Sequence, residues 1–239
     1  RVDLLEEALR TEQVGLLYLT PHRQIPTTVP LSPARRMKLL ELAQKHRMAI
    51  LEDDSEGEFT YDGKPLLPLA CGDPTGQVIY MSSLSRLLAP GIRLGFLAAP
   101  QALVDRLARV RVRMDWQGDR VLEWSMGDLI RDGDLARHLR KVRRLYQERR
   151  DLLAEGLARD LGSCLDFQVP DGGLALWIRG RQGSPFQQGL ERCRTRGVLL
   201  HPARHLSHPA RDLNATRLGF AAFEPAELQD ALHRMRSAV

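Results

Sequence analysis

The chain has 239 residues, of which 43% are hydrophobic, 27% charged and 5% aromatic, and its formal net charge is +5. This composition is ordinary for a folded globular protein and excludes a disordered or low-complexity chain. No stretch approaches the roughly 18–20 apolar residues that a membrane-spanning helix needs, so we expect no membrane partner. Three widely separated cysteines (Cys71, Cys164 and Cys193) favour a reducing cytoplasm over a disulfide framework or a zinc ribbon.

The excess of basic residues raises the question of nucleic-acid binding. Only four of the 35 basic residues are lysines, and the arginines alternate with Asp and Glu through most of the chain. This pattern is typical of solvated helix faces rather than of a DNA-binding patch. We therefore expect no DNA contact by the residues of this chain.

In chain order, the first half alternates helical patterns with short apolar runs that are typical of buried strands. Helices are predicted at residues 2–10, 32–46 and 101–114, and strands at residues 14–20, 48–51, 78–81 and 94–98. Strands separated by helices pair in parallel through crossover connections, so a mostly parallel sheet is expected. Chemistry in such sheets gathers beyond the carboxyl ends of the strands, which here are residues 21–27, 53–58 and 82–86.

The second half has a different pattern. A long basic amphipathic helix is predicted over residues 134–161, and further helices begin at Pro185 and near Pro225. Strands are predicted at residues 174–178, 197–200 and 216–220. We therefore expect a smaller α+β domain that is joined to the first half through the long helix.

Two polar clusters raise the question of a metal site. His201, His205 and His208 lie close together, but no acidic residue or cysteine lies between them, so loop histidines are the better interpretation. The acidic residues within 52–58 suit a divalent cation or, equally well, a single carboxylate that faces a pocket.

The most informative segment is residues 82–96, which contains Ser83, Ser85, Arg86, a Pro-Gly pair and Arg93. It closely resembles the pattern Thr-x-Ser-Lys-x-x-x-Pro-Gly-x-Arg-x-Gly-Tyr of fold-type I pyridoxal-phosphate (PLP) enzymes, the aspartate aminotransferase superfamily. Other segments resemble further motifs of that superfamily in the same order, namely residues 20–27, 51–63, 137–146 and 217–220. The whole pattern is most similar to the MocR subgroup of GntR-type bacterial regulators. In these proteins an aminotransferase-like domain follows an N-terminal winged-helix DNA-binding domain and senses a small effector.

The resemblance implies an α/β fold, the fold type I of PLP-dependent transferases, and it begins inside the family's large domain. Residues 1–115 are then part of a large domain with a mostly parallel sheet, residues 116–160 an interdomain helical region, and residues 161–239 a small C-terminal α+β domain. It also implies a cytoplasmic homodimer with a small-molecule effector. DNA would be bound only through a winged-helix domain, which this chain lacks.

The resemblance assigns a role to several side chains. Asp53 would hold the protonated ring nitrogen of PLP, which acts as an electron sink only with a carboxylate beside that nitrogen. Ser83, Ser85 and Arg93 would hold the phosphate, and Arg217 the carboxylate of a substrate. The alternatives are structural: Asp53 as a helix cap, the serines as turn residues, and the arginines in ion pairs.

Three departures from the family pattern bear on the function. Arg86 stands in place of the Schiff-base lysine, Ser55 in place of an aromatic hydroxyl, and Thr28 in place of the Gly that closes the Pro-Thr-Gly loop. A guanidinium remains protonated near neutral pH and cannot act as an amine nucleophile. We therefore expect no catalytic residue at this position and, where PLP is bound, no covalent bond to it.

These observations favour one function and leave two others open. The favoured function is the effector-binding and dimerisation part of a MocR-like regulator with a degenerate PLP site, which binds a small anionic or amino-acid-like ligand. The first alternative is an atypical PLP-dependent aminotransferase that uses another lysine, such as Lys64, or a residue of a partner chain. The second is a decayed domain that is retained for dimerisation alone.

Overall fold

The computed structural model describes residues 1–63, 65–184, 186–206 and 213–238. It divides into two compact units. Unit 1 contains Arg1–Gln24, Pro30–Glu58 and Pro65–Arg140, and unit 2 contains Ile25–Val29, Phe59–Lys64 and Lys141–Val239. Each unit has its own cluster of buried apolar residues.

Unit 1 is built on a four-stranded sheet with the strand order β1-β2-β3-β4. The strands are β1 (Leu16–Leu19), β2 (Ala49–Asp53), β3 (Val78–Ser83) and β4 (Gly95–Ala98). The first three are parallel, and β4 pairs antiparallel with β3. The expected mostly parallel sheet is therefore confirmed, with an antiparallel strand at one edge.

Five helices belong to the same stretch of chain. They are α1 (Val2–Ala8), α2 (Pro33–His46), α3 (Leu84–Leu87), α4 (Gln101–Asp115) and α5 (Arg120–Arg131). Ser32 is the N-cap of α2, and Pro33 is its first residue. Pro suits this position because the first N–H groups of a helix have no partner within the helix, and Pro has no N–H. Helix α2 provides the crossover between β1 and β2, which are parallel.

The core of unit 1 lies between α2 and the sheet. Leu39 and Leu42 of α2 belong to the same buried cluster as Ile50 of β2 and Val78 of β3. Because side chains alternate along a strand, Glu52 lies on the same face of β2 as Ile50, and Asp53 lies on the opposite face. This alternation gives two adjacent acidic residues different surroundings.

The described residues of unit 2 form an antiparallel sheet and three helices. The sheet has the order β5-β6-β7, with β5 (Leu165–Phe167), β6 (Ala175–Gly180) and β7 (Ala215–Gly219). The helices are α6 (Asp134–Leu161), whose first residues belong to unit 1, α7 (Phe186–Thr195) and α8 (Pro225–Arg236). Leu157, Leu176 and Phe220 are fully buried in its core. The smaller α+β arrangement expected for the second half is thus present.

One predicted strand is absent from the described residues, since residues 197–200 form no strand. The run follows the end of α7, where Gly197 has a φ of +79° and the Val198 N–H donates to the Cys193 carbonyl at 2.9 Å. A single bridge joins Pro202 to Thr216, and Pro has no N–H with which to extend it into a ladder. The helix end therefore overrides the apolar pattern. The predicted start of α7, Pro185, lies outside the described residues.

Two helices of unit 1 expose much of their apolar surface. No residue of α4 is buried, and α5 buries only Met126. Trp116 between them and Trp124 on α5 are 84% and 68% exposed. Throughout the described residues, none of the helices combines the length and the apolar character that crossing a bilayer requires.

Candidate functional site

The candidate site of unit 1 lies at the carboxyl ends of β2 and β3. Asp53, the last residue of β2, is paired in register with Met81, and β3 ends two residues later at Ser83. Since the two strands are parallel, their carboxyl ends meet at one edge of the sheet. The fold therefore brings Asp53 and Ser83 to the same edge, as the sequence predicts.

Two neighbours hold the Asp53 carboxylate. The Tyr18 hydroxyl of β1 donates to Asp53 Oδ2 at 2.8 Å, and the Ser55 N–H and hydroxyl both donate to Oδ1. Burial and the hydrogen bond to Asp53 raise the pKa of Tyr18 to about 12, so its hydroxyl keeps the proton that it donates. Within the described residues no cation lies within ion-pair distance of Asp53. The carboxylate is thus oriented, with acceptor capacity left for a ligand.

Ser55 has a specific role in this arrangement. The resemblance predicts that it replaces an aromatic hydroxyl, and in the structure its N–H and its hydroxyl both donate to Asp53. The arrangement is an Asx turn, in which an aspartate binds the backbone two residues later. The substitution therefore leaves Asp53 with a hydroxyl partner in the loop after β2.

The acidic residues next to Asp53 have other partners. Glu52 is fully buried, and its two oxygens accept the N–H groups of Leu69 and Ala70 at 2.8 and 3.0 Å. Burial raises the pKa of Glu52. Glu56 forms an ion pair with Arg86. Because these carboxylates face different partners, no group of three potential metal ligands occurs among the described residues. A cation site in this acidic run is not found there.

Asp54 forms the centre of a buried polar network that sequence reasoning missed. Tyr80 of β3 donates to Asp54 Oδ2 at 3.0 Å, and the Ser82 hydroxyl donates to the Asp54 carbonyl at 3.1 Å. His22 Nδ1 lies 2.7 Å from Asp54 Oδ1, an ion-pair distance without the alignment of a hydrogen bond. The other ring nitrogen of His22 lies 2.8 Å from the Leu66 carbonyl. This network joins the segments that follow β1 and β2 to β3.

A sequence signal for the network exists in retrospect. His22 and Asp54 each follow the end of a parallel strand. Tyr80 and Ser82 are two residues apart on β3 and therefore lie on the same face of that strand. Strand ends converge at one edge of a parallel sheet, so polar residues at those positions are expected to meet. The partner of each residue depends on the register and could not be read from the sequence.

The segment from Ser83 to Arg93 carries the other candidate side chains. Ser83 precedes α3 without capping it, and Ser85 lies within α3. Arg93 is exposed and has a φ of +50°, which is unusual for a residue other than Gly. Across the described parts of the chain, none of these three side chains forms a hydrogen bond or an ion pair with another described residue.

Arg86 is placed at the same edge. Its side chain is 46% exposed, and its Nη1 lies 3.5 Å from Oε1 of the buried Glu56. Glu56 lies in the turn that follows β2, three residues after Asp53. The guanidinium of Arg86 therefore reaches the loop at the carboxyl end of β2.

Arg217 lies in unit 2, on β7 opposite Trp177 of β6. It lines a cavity of about 540 Å³ together with His201, Leu199 and Phe223. Unit 1 thus holds Asp53, Ser83, Ser85, Arg86 and Arg93, whereas Arg217 belongs to the other unit. His208 and the side chain of His205 lie outside the described residues.

One lysine outside the motif has an acidic partner in the structure. Lys38 on α2 donates to Glu6 at 2.9 Å in a partly buried ion pair. Lys64 lies outside the described residues. At the loop position that has Gly in the family pattern, Thr28 keeps a φ of +63°, so the backbone there still has a conformation that favours Gly.

Comparison with known proteins identifies relatives in two functional classes. The "Uncharacterized HTH-type transcriptional regulator YisV" of Bacillus subtilis is 30% identical over 217 residues, which are 91% of this chain and 44% of the relative. The "Probable rhizopine catabolism regulatory protein MocR" of Rhizobium meliloti is 30% identical over 93% of this chain and 45% of the relative. Aromatic-amino-acid aminotransferase 1 of Thermococcus litoralis is 29% identical over 100% of this chain and 58% of the relative. The chain spans about half the length of the curated relatives that it matches.

Solved structures give the same fold. A multiple substrate aminotransferase from Thermococcus profundus superposes with a TM-score of 0.91 at 29% identity, covering 100% of this chain and 60% of the other. The kynurenine aminotransferase of Pyrococcus horikoshii, solved with PMP, superposes with a TM-score of 0.90 at 27% identity, again over 100% and 60% of the two chains. Residues 1–235 match the family Aminotransferase class I and II. The chain therefore belongs to the class I and II aminotransferase family and has the type I fold of PLP-dependent transferases.

Proposed function

We propose that this chain is the ligand-binding and dimerisation part of a MocR-like transcriptional regulator, and that its site binds a ligand without catalysing transamination. The relatives that are named as a transcriptional regulator and as a regulatory protein support this proposal, since each matches more than nine-tenths of the chain. DNA would be contacted through the helix-turn-helix domain of such a regulator. We further propose a cytoplasmic homodimer with a small effector, and the domain boundaries 1–115, 116–160 and 161–239.

The observation that carries the proposal is the state of Arg86. It occupies the position of the family's lysine, and its guanidinium is paired with the buried carboxylate of Glu56 at 3.5 Å. A guanidinium stays protonated and lacks the free amine that transamination requires. The chain therefore keeps a charged group at this position but has lost the covalent anchor and the proton shuttle.

The remaining residues are compatible with PLP bound without a covalent bond. Asp53 is oriented by three donor groups of two residues and has no cationic partner in the described part of the chain, which suits a protonated ring nitrogen. Ser83, Ser85 and Arg93 offer hydroxyls and a guanidinium to a phosphate. PLP supplies an electron sink where a lysine is present to use it. Without that lysine, the same contacts would bind the ligand without catalysis. We further propose that Arg217 binds a carboxylate of an amino-acid-like ligand.

An atypical PLP-dependent aminotransferase is the second candidate function. It is favoured by relatives named as aminotransferases, among them the 2-aminoadipate transaminase of Thermus thermophilus, 28% identical over the whole chain. On this account Lys64, another lysine or a partner chain's residue replaces the motif lysine. Activity with amino donors that is lost when one of these lysines is changed would establish it.

A binding titration tests the proposed function. We expect PLP to bind the unmodified chain reversibly, and Asp53→Asn to weaken the affinity about 10-fold to 100-fold, because a charge-assisted hydrogen bond is lost. Asp105→Asn, which changes an exposed carboxylate on α4, is the matched control and should leave the affinity unchanged. Equal affinities in the unmodified chain and Asp53→Asn, or no PLP binding to either, would contradict the assignment of the site.

A further inference from the structure

The guanidinium of Arg86 has hydrogen-bonding capacity that the protein does not use within the described residues. Its contact with Glu56 is 3.5 Å long, beyond the 2.7–3.2 Å typical of an N–H···O hydrogen bond. Arginine carries five N–H donors, and no hydrogen bond from Arg86 to another described residue is formed. The contact with Glu56 therefore compensates the charge of Arg86 and leaves its N–H donors available to a ligand.

The position of these donors is fixed by two elements. Arg86 follows the end of β3 by three residues, and Glu56 lies in the turn after β2. Their contact places the guanidinium at the sheet edge where Asp53, Ser83 and Ser85 also lie. A ligand at this edge meets one carboxylate, two hydroxyls and a guanidinium that is separate from Arg93.

We propose that Arg86 selects an aromatic phosphate that also carries a carboxylate, with this second acid group at the ring position where PLP has its aldehyde. The proposal rests on the proposed function, since it assumes that the ring and the phosphate bind at Asp53 and at the Ser83–Arg93 segment. The planar fork of a guanidinium binds a carboxylate through two parallel charge-assisted hydrogen bonds. An aldehyde or an alcohol is uncharged and offers one acceptor oxygen, so it forms neither the ion pair nor the two parallel hydrogen bonds and binds the guanidinium more weakly.

Glu56 sets the size of this preference. Its side chain is 5% exposed, and its Oε1 is the ion-pair partner of the guanidinium. Five donors can serve two carboxylates, but the negative charge of Glu56 partly offsets the attraction of Arg86 for a second acid. We therefore expect a preference for the acid of about tenfold.

The test compares three ligands that share one ring and one phosphate. They are 4-pyridoxic acid 5′-phosphate, pyridoxine 5′-phosphate and pyridoxal 5′-phosphate, titrated calorimetrically into the unmodified chain and its variants. The unmodified chain should bind the acid about tenfold more tightly than the alcohol. Arg86→Gln should abolish this difference by weakening the acid far more than the alcohol, and the binding of the alcohol that remains also shows that the variant is folded. Arg109→Gln, an exposed change on α4, should keep the preference.

A second variant tests the role of Glu56 independently. Glu56→Gln removes the competing negative charge and should increase the preference for the acid over the alcohol. Equal binding of acid and alcohol by the unmodified chain would overturn the inference, as would a preference that persists in Arg86→Gln. If all three ligands fail to bind the unmodified chain, the proposed function fails and this inference fails with it. Binding of all three without discrimination removes the inference alone.

Discussion

At the scale of single residues, the run from Glu52 to Glu56 shows how neighbouring carboxylates acquire different roles. Strand alternation sends Glu52 into the core, where two backbone N–H groups bind it, and leaves Asp53 on the other face with Tyr18 and Ser55. Asp54 joins a buried network, and Glu56 pairs with Arg86. Asp53 is the partly exposed member of this run whose carboxylate is oriented and keeps acceptor capacity for a ligand.

The buried Glu52 gives a prediction about pH. Burial raises its pKa in the folded state, so its contribution to stability is fully present below its unfolded pKa and is lost as the pH rises through the folded value. The free energy of unfolding of the unmodified chain, compared with that of Glu52→Gln, should therefore fall as the pH rises from about 4, the ordinary pKa of a glutamate carboxyl. Urea unfolding of both proteins across this range measures the difference.

Glu6→Gln is the control, because the opposite pH dependence of the free energy of unfolding is expected for it. The hydrogen bond from Lys38 lowers the pKa of Glu6, so any contribution of Glu6 is present at higher pH and lost as the pH falls. If the free energy of unfolding of the unmodified chain, relative to that of Glu52→Gln, instead increases as the pH rises, then burial does not destabilise the ionised carboxyl of Glu52.

At the scale of elements, the end of α2 illustrates a conformational cost that the sequence does not reveal. Arg47 terminates the helix with a φ of +52°, in the left-handed region where Gly is the usual residue. Its side chain is exposed, and its N–H donates to backbone carbonyls, bonds that any residue but Pro can make. The residue is therefore strained without an evident compensating contact.

We expect Arg47→Gly to raise the free energy of unfolding by about 1 kcal/mol, because Gly adopts this conformation without the steric cost. Arg47→Ala should give no comparable gain, since Ala keeps its Cβ in the same conformation. Urea unfolding of the two variants beside the unmodified chain makes the comparison. A similar gain from both would mean that loss of the arginine side chain, rather than relief of backbone strain, is responsible.

Much of the element pattern could be predicted from the sequence because periodicity dominates there. The predicted helix over residues 134–161 corresponds to α6 at both ends, and β2 and β3 lie where apolar runs indicated them. The short strand β5 was not predicted. The strand predicted over residues 197–200 is absent, because the Val198 N–H donates to a carbonyl at the end of α7. Local patterns do not report such competition between neighbouring elements.

The candidate site was predictable only in part. The positions of Asp53 and Ser83 at adjacent strand ends follow from a parallel sheet, which the sequence predicts. The Tyr18 partner of Asp53, the Glu56 partner of Arg86 and the contact between His22 and Asp54 depend on strand register and loop paths. The roles of Ser85, Arg93 and Arg217 remain predictions.

At the scale of the whole molecule, unit 1 presents apolar surface that a stable protein usually covers. α4 buries no residue, although it is 15 residues long, and isolated helices of that length are marginal in water. Trp116 and Trp124 are largely exposed beside it. Exposed large apolar side chains such as these are common at interfaces between subunits, which supports the proposed homodimer.

We expect the chain to sediment as a dimer at micromolar concentration and Trp124→Glu to shift it toward monomer, because a charge would then be placed in the apolar surface. Leu67→Glu is the matched control, since Leu67 is 72% exposed in a loop of unit 1 and is not part of α4 or α5. Analytical ultracentrifugation distinguishes the species. A Trp124→Glu protein that dimerises like the unmodified chain would place the interface elsewhere.

The central claim is that a PLP-type site persists after loss of its lysine, and the mass of the chain after reaction with PLP and borohydride tests it most directly. Borohydride makes a bond between a lysine amine and the PLP aldehyde permanent, so the adduct appears in the intact mass and maps to one peptide. We predict no adduct on the unmodified chain at stoichiometric PLP and one adduct at position 86 of Arg86→Lys. An adduct on the unmodified chain would mean that another lysine performs the chemistry, and the absence of an adduct from both proteins would mean that the site has been lost.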